Sequence, residues 1–466
     1  MNNNFGSLMS RITSDGFGAN EAGRVPASSV GYPFDTSSAV LKLFAEYAIE
    51  GQPVAVSFRQ LVPWIKMGER ATHHIHHYPA KLIPQIAHFF LATEIFCPRY
   101  GVVLDPFGGT GTVALETCLS GRHAVYADTN PLARMIAAAK VTPIANLDAE
   151  SLLSSVYSRY KRARSNSLPD VVNVEKWFAG SVIRQLARLK RSIDAEPVEA
   201  IRNFLLVTFS ATLRKVSNAD PRLSVPVLIK ARSTPSGEVD VFKRFSEQCE
   251  ANVRRMSEYM AAIIGGGSLT IAGSDCRRLL VQDGGVLNPG EVDLVISSPP
   301  YAGAQKYIRA SSLSLGWLGL AGAGKLKPLE NLTIGREHLQ LRDRLQAGET
   351  HAPSAEKVLR RIEAKNGYRA AICRIYLIEM YDALVQAAKC LRLGGYFILI
   401  IGNNQVCGEE FWSSTYLSEM LTGLGFRVEL ELVDEIKSRG LMTKRNRSAG
   451  MISREWVIVF KKVRDA

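Results

Sequence analysis

Two short segments of the chain carry residues whose types and spacing suit chemistry on a bound ligand. The first, residues 105–112, places an acid after an apolar run and then brings three glycines within four positions. Glycine allows a backbone to turn sharply and approach a ligand closely, and a helix starting at such a turn presents unpaired N–H groups. This segment, the glycine turn, predicts a ligand site between a strand and a helix.

A second acid, Asp128, follows Asp105 by 23 residues and ends the next strand pattern, 124–127. An acid about 20 residues beyond such a turn is placed to bind ribose hydroxyls. The turn lacks the G-x-G-x-x-G and G-K-[ST] patterns of phosphate-binding sites. The negative charge of Asp105 would repel a pyrophosphate but would attract a cationic ligand. S-adenosylmethionine, with its sulfonium and ammonium charges, fits these requirements.

The second chemical segment is the proline turn, Ser298-Pro299-Pro300-Tyr301, which follows the strand pattern 292–297. Two prolines end strand pairing and leave carbonyls free. Such acceptors can hold both N–H bonds of an exocyclic amino group, while a tyrosine ring stacks on an extruded base. This pattern predicts direct methylation of a base amino group. Methylation at C5 of cytosine would instead need a thiolate, usually in a Pro-Cys dipeptide, and the sequence has none.

These segments resemble the motifs of the S-adenosylmethionine-dependent DNA amino-methyltransferases, which act on cytosine N4 or adenine N6. The glycine turn resembles the F-x-G-x-G cofactor motif of that family, and residues 128–133 resemble its ribose-binding segment. The resemblance implies that Asp105 and Gly109 hold the methionine end of the cofactor and that Asp128 holds the ribose. It also implies that Asp275 lies beside the adenine ring.

The His-rich segment, residues 73–81, resembles a motif that closes over the cofactor in permuted members of the family. Its four histidines come without a cysteine or acid cluster, so we interpret it as a cofactor-lining loop and predict no metal site. The predicted cofactor-binding residues are Tyr78, Lys81, Asp105, Phe107, Gly108, Gly109, Gly111, Thr112, Asp128, Asn130 and Asp275. The predicted catalytic residues are Ser298, Pro299, Pro300 and Tyr301.

The first residue of the proline turn indicates the target base. In the family that the chain resembles, serine at this position favours cytosine N4, whereas aspartate or asparagine favours adenine N6 or guanine N2. The prediction is therefore a DNA methyltransferase specific for cytosine N4. An N6-adenine DNA methyltransferase, an RNA guanine-N2 methyltransferase and a catalytically inactive DNA-binding protein remain as alternatives.

The elements that must position these segments alternate between strand and helix patterns from about residue 71. They predict an α/β, Rossmann-like methyltransferase sheet, mostly parallel, with the strand patterns 427–432 and 455–460 as an antiparallel finish. The predicted catalytic domain comprises residues 71–144 and 266–466, after an N-terminal extension, 1–70. The helical insertion, 145–265, and the region 302–365 are two candidate DNA-recognition regions.

The net charge of +13 favours polyanionic partners, and double-stranded DNA is the predicted one. A basic run at 159–164 and the tail are suited to phosphate contacts. The predicted DNA-binding residues are Lys437, Arg439, Lys444, Arg445 and Arg447.

The sequence has scattered cysteines, no signal peptide and no apolar run of about 20 residues. These features predict a cytoplasmic protein without membrane contact. Any partner nuclease is expected on a separate chain.

Overall fold

The computed structural model describes residues 35–65, 70–79, 81–164, 168–229, 239–263, 265, 267–303, 307–322, 325–340, 343, 348–435 and 454–465. Within these ranges eight strands form one sheet, and two more form a short hairpin. The strands are β1 (Val54–Val56), β2 (Val102–Asp105), β3 (His123–Ala127), β4 (Ser268–Gly273), β5 (Val292–Ser297), β6 (Leu391–Ile401), β7 (Asn404–Val406), β8 (Glu409–Phe411), β9 (Phe426–Glu435) and β10 (Arg454–Lys462).

The order across the sheet is β1-β9-β10-β6-β5-β2-β3-β4. Strand β10 runs antiparallel to β6 and β9, and the other pairs are parallel. This arrangement confirms the predicted Rossmann-like sheet with its antiparallel finish. The chain leaves β2 toward β3 on one side and returns through β5 on the other. The carboxyl ends of β2 and β5 therefore border the crevice where open α/β sheets bind ligands.

Alternate residues of the central strands face two separate apolar cores, as expected for a parallel sheet covered on both faces. Leu104 and Val295 belong to one core, and Val103 and Leu294 belong to the other. The helices are Ser37–Glu50, Phe58–Leu61, Pro84–Leu91, Thr112–Leu119, Pro131–Val141, Ala149–Arg162, Val174–Trp177, Gly180–Asp194, Glu199–Val216, Val241–Ala262, Tyr307–Ala310, Ser312–Trp317, Leu326–Leu332, Ala355–Lys365, Gly367–Cys390 and Ser413–Gly423. Among these helices of the described ranges, none has the length and apolar character that crossing a membrane requires.

The helical insertion is present between the helix Pro131–Val141 and β4. Within the insertion the helices Val174–Trp177 and Gly180–Asp194 are separate, because Phe178 between them has an extended backbone with φ −139°. The helices of the insertion bury their apolar faces in a core that also contains Leu115, on the helix after the glycine turn. The insertion is thus packed directly behind the segment predicted to bind the cofactor.

Two elements differ from the sequence pattern. Strand β1, which no pattern predicted, pairs in parallel with β9 at the edge of the sheet. Strand β6 starts at Leu391 and includes the glycine pair Gly394-Gly395, which a regular strand pattern would not contain. Gly394 has φ +76°, and a Cβ on Gly395 would lie 3.0 Å from the carbonyl oxygen of Asp293. The glycines therefore permit an irregular, close approach to β5, where the strand register shifts.

Candidate active site

The glycine turn leaves the end of β2 and packs against the end of β3. The N–H of Gly108 donates to the carbonyl of Ala127 at 3.0 Å. A Cβ on Gly108 would lie 1.9 Å from the ring of Tyr126, so a larger residue has no space there. Gly109 adopts φ +52°, and its missing Cβ would face open space. The backbone of the turn is consequently exposed to a ligand on one side and supported by β3 on the other.

Asp105 is a buried acid at the base of this turn. Its Oδ1 accepts hydrogen bonds from the hydroxyl of Ser297 at 2.7 Å and from the N–H of Phe107 at 3.1 Å. Burial raises the pKa of Asp105 to about 7, although both hydrogen bonds oppose that shift. A cation placed beside this carboxylate would offset the cost of burying its charge.

Asp128 ties β3 to the glycine turn. Its two oxygens accept from the N–H groups of Gly109 at 3.0 Å and Asn130 at 2.7 Å. Burial raises the pKa of Asp128 to about 6. Because each carboxylate oxygen has two lone pairs, acceptor capacity remains for ligand hydroxyls.

Asn130 joins three parts of the site. Its side chain caps the helix Pro131–Val141 and donates at 3.0 Å to the hydroxyls of both Tyr78 and Ser311. Tyr78 in turn stacks on Tyr307, with the rings 6.1 Å apart and 12° from parallel. This buried amide therefore fixes the His-rich segment against the chain that follows the proline turn.

The buried histidines of the His-rich segment contact different partners. His73 Nε2 lies 2.8 Å from Glu116, and His76 Nε2 lies 2.8 Å from the hydroxyl of Ser210. Burial lowers the pKa of His73 to about 4 and that of His76 to about 3. Glu116 also contacts Arg70 and His88. These partners outweigh the effect of burial and hold the Glu116 pKa well below its usual range. The cluster anchors the segment to the helix behind the glycine turn.

Lys81 ends the His-rich segment and lines the same space as the two acids. Its ammonium donates to the carbonyls of His73 at 3.2 Å and His76 at 2.7 Å. Burial, followed by the charge of Arg255, lowers the pKa of Lys81 to about 8. The ammonium is thus directed and partly dehydrated, which suits an interaction with a carboxylate.

The proline turn lies at the end of β5, immediately after Ser297. Gly335, with φ +77°, packs against this turn, and a Cβ there would lie 2.6 Å from the carbonyl oxygen of Tyr301. The side chain of Tyr301 lines the same space as Glu455 of β10 and lowers the pKa of that carboxyl. Both its backbone and its side chain are therefore supported by distant parts of the chain.

One cavity, with an empty volume of about 1230 Å³ including its open mouth, joins the two turns. The predicted residues that line it are Tyr78, Lys81, Asp105, Phe107, Gly108, Gly109, Thr112, Asp128, Asn130, Asp275, Ser298, Pro299, Pro300 and Tyr301. Gly111 lies behind the turn, where a Cβ would meet Ala137 at 2.8 Å. The predicted DNA-binding residues Lys437, Arg439, Lys444, Arg445 and Arg447 lie outside the described residues.

Two further sequence candidates have structural partners. Asp275 forms an ion pair with Arg277, with Nε 2.8 Å from Oδ1, and Arg277 continues to Glu379. Burial alone would raise the pKa of Asp275, but the hydrogen bonds and charge of Arg277 lower it. In the basic run 159–164, Arg159 pairs with Glu196 at 2.8 Å and supports the fold of the insertion.

Several residues of the site are not marked by a sequence motif. Ser297 precedes the proline turn by one residue and has the pattern of a strand end, but it is buried and donates to Asp105. The segment 332–334 lines the cavity and follows the turn without a distinctive pattern. Glu455 is 154 residues from Tyr301, and only the pairing of β10 with β6 brings it near the site. The local signals identify the two turns, whereas the remaining wall depends on tertiary contacts.

The residues present fit S-adenosylmethionine. Two carboxylates, the buried Asp105 and the partly buried Asp128, have raised pKa values and are suited to a ligand with cationic and hydroxyl groups. Lys81 supplies a cation on the same wall for the carboxylate of such a ligand. The proline turn lines the remaining wall.

No family model matches the chain. The chain is 24% identical over 358 residues to the Type II methyltransferase M.MvaI of Kocuria varians, an alignment covering 72% of this chain and 77% of that relative. The solved rRNA methyltransferase aviRa from Streptomyces viridochromogenes is 12% identical, with a TM-score of 0.29 over 83% of this chain and 88% of that one. The relationship to M.MvaI, together with the sheet and its cavity, supports an enzyme of the methyltransferase class and implies S-adenosylmethionine as its methyl donor.

Proposed function

We propose that this protein is a DNA methyltransferase that transfers a methyl group from S-adenosylmethionine to the N4 amino group of a cytosine flipped out of double-stranded DNA. The observation that carries the proposal is that the proline turn and the glycine turn line one cavity. An amino group held by one turn therefore faces a cofactor held by the other. The name of the relative M.MvaI, a Type II methyltransferase, is consistent with this reaction.

The proline turn is assigned to the amino group. The amino group donates one hydrogen bond to Ser298 Oγ and one to the Pro299 carbonyl oxygen. These two hydrogen bonds favour a more tetrahedral nitrogen, whose lone pair is no longer conjugated with the base. Tyr301 stacks on the extruded base and offsets part of the flipping cost, which is roughly a few kcal/mol. Holding both reactants in line supplies much of the remaining acceleration.

The glycine turn is assigned to the cofactor, which supplies an activated methyl group when bound. The Asp105 carboxylate would accept hydrogen bonds from the ammonium of the cofactor's methionine end, and the Asp128 carboxylate would accept them from the ribose hydroxyls. Lys81 binds the carboxylate of the same ligand. Asp105 also accepts from Ser297, so the cofactor wall and the proline turn are connected by one hydrogen bond of 2.7 Å.

Nucleoside analysis tests the proposal directly. The purified protein is incubated with labelled S-adenosylmethionine and with separate DNA and RNA pools, and the modified nucleosides are then identified. N4-methylcytosine in DNA is the expected product. N6-methyladenine in DNA, N2-methylguanine in RNA or no methylated product would each contradict the proposal in favour of one of the alternatives.

Two adjacent serines provide a matched pair of variants. Ser298→Ala removes an acceptor for the amino group, so kcat is expected to fall roughly 10- to 100-fold while cofactor affinity stays within about twofold. Ser297→Ala removes the hydrogen bond to Asp105, so the principal change is expected in cofactor affinity. Equal effects of both variants on both quantities would refute this division of roles.

A further inference from the structure

We infer that Glu455 is a positioning residue that fixes the ring of Tyr301 for stacking on the target base. This inference rests on the proposed function, because the orientation of the ring matters only when a base enters the cavity. Glu455 belongs to the last strand of the sheet and to no motif of the sequence.

Glu455 reaches the site because β10 is antiparallel to the strands beside it. The start of β10 lies next to the end of β6, where Trp456 pairs with Ile401. Glu455 is partly buried and lines the same cavity wall as Tyr301. Tyr301 lowers the pKa of Glu455, which is the effect of a hydroxyl that donates to a nearby carboxylate, and we assign this contact to the two side chains. The carboxylate accepts in this contact, because the tyrosine hydroxyl is the donor.

The surroundings of Glu455 make its ionised carboxylate destabilising for the fold. Asp434 of β9 is its direct partner across the antiparallel pair and is itself buried. Like charges in directly opposed positions destabilise a sheet. Burial, and then the charge of Asp434, raises the pKa of Glu455 to about 6, while Tyr301 and Arg59 act in the opposite direction. An apolar side chain would avoid this cost, so the position is better explained by the contact with Tyr301 than by stability.

The assigned contact would complete the support of Tyr301. Gly335 packs against its backbone carbonyl, and a hydrogen bond from its hydroxyl to Glu455 would hold the far end of its ring. A ring fixed at both ends loses little conformational entropy when a base stacks on it. Releasing the hydroxyl should therefore weaken productive stacking without altering the wall that holds the cofactor.

The test compares Glu455→Met, Glu455→Gln, Tyr301→Phe and the double variant Glu455→Met/Tyr301→Phe. Glu435→Gln is a matched control, because Glu435 lies on the neighbouring strand and its carboxylate is 67% exposed. Steady-state kcat and KM are measured on duplex DNA, with the cofactor Kd from calorimetry. Base flipping is followed by the fluorescence of 2-aminopurine at the target position.

Glu455→Met and Tyr301→Phe are each expected to lower kcat about tenfold and to reduce the flipping signal, with cofactor Kd unchanged. The double variant is expected to be no worse than either single one, because both remove the same contact. Glu455→Gln retains an acceptor and is expected to recover most of kcat. Glu435→Gln is expected to match the wild type.

Multiplicative losses in the double variant would overturn the inference, as would a Gln variant as impaired as the Met variant. A loss explained wholly by cofactor affinity would also overturn it. These outcomes differ from failure of the proposed function, in which the wild-type protein itself methylates no cytosine in DNA. That result would remove the basis of this inference as well.

Discussion

Cofactor affinity should depend on pH through Asp105. The pKa of this buried carboxyl is raised to about 7, and a cationic ligand binds only its ionised form. Binding then lowers that pKa and releases a proton, so the contribution of Asp105 to affinity is full above pH 7 and declines as the pH falls through it. Lys81, with a pKa of about 8, acts in the opposite direction and loses its charge as the pH rises above that value. Between about pH 8 and pH 5.5 the ionised fraction of Asp105 falls roughly 30-fold, equivalent to about 2 kcal/mol of binding free energy.

Isothermal titration with S-adenosylmethionine over this pH range measures the effect. Asp128, with a pKa of about 6, is expected to steepen the decline at the acid end. Methylthioadenosine is the control ligand, because it has neither the sulfonium charge nor the ammonium group. Its affinity should not follow the ionisation of Asp105. A constant affinity for S-adenosylmethionine from pH 8 to pH 5.5 would refute the assignment of Asp105 to the cationic end.

Asp105→Asn provides an independent check. The amide keeps an acceptor for Ser297 but carries no charge, so affinity at pH 8 should fall more than about tenfold. The part of the pH dependence centred near 7 should disappear. Because the folded-state pKa lies above that of the unfolded chain, ionisation of Asp105 destabilises the fold as the pH rises. The variant is therefore expected to be about 1 to 3 kcal/mol more stable at pH 8. If the variant were no more stable than the wild type at pH 8, burial of the ionised Asp105 carboxylate would not destabilise the fold.

Three substitutions test the supports of the site. Glu116→Gln leaves a buried cluster without its carboxylate, so urea denaturation at pH 7 should show a loss of about 3 kcal/mol. Because the wild-type carboxyl has a pKa lowered from 4.5, this difference should begin to narrow as the pH falls below about 4.5 and disappear only in strong acid. Arg122→Met removes four hydrogen bonds to backbone carbonyls, three of them buried, and should cost about 3 kcal/mol in the same assay. Gly335→Ala should displace the carbonyl of Tyr301 and lower kcat about tenfold, with cofactor Kd within about twofold. Wild-type values in any of these assays would contradict the corresponding contact.

The sequence predicts the parts of the site that depend on local chemistry. The acid of Asp105, the glycines after it and the prolines after Ser298 have backbone requirements that the pattern itself displays. The sheet and its antiparallel finish also follow from alternating strand and helix patterns. The predicted sheet is present in the structure, and Asp105, Gly108, Gly109 and the two prolines line one cavity.

The remaining parts depend on contacts between distant segments. Strand β1 has only three residues, and its pairing with β9 is determined by packing and not by its own pattern. Glu455 enters the cavity only because β10 runs opposite to its neighbours. The ion pair of Asp275 with Arg277 requires side-chain geometry that residue spacing does not specify. The motifs therefore predict the two turns that line the cavity, whereas the other lining residues are brought there by tertiary contacts.

The short strand β1 has a consequence for association between copies. It covers only positions 432–434 of the ten-residue β9, and the remaining outer edge carries the charged residues Arg427, Glu429 and Glu431. Open strand edges template pairing with other chains, and both a covering strand and charged side chains discourage it. A chain shortened to begin after residue 57 would expose the apolar end of β9 and aggregate by edge-to-edge pairing.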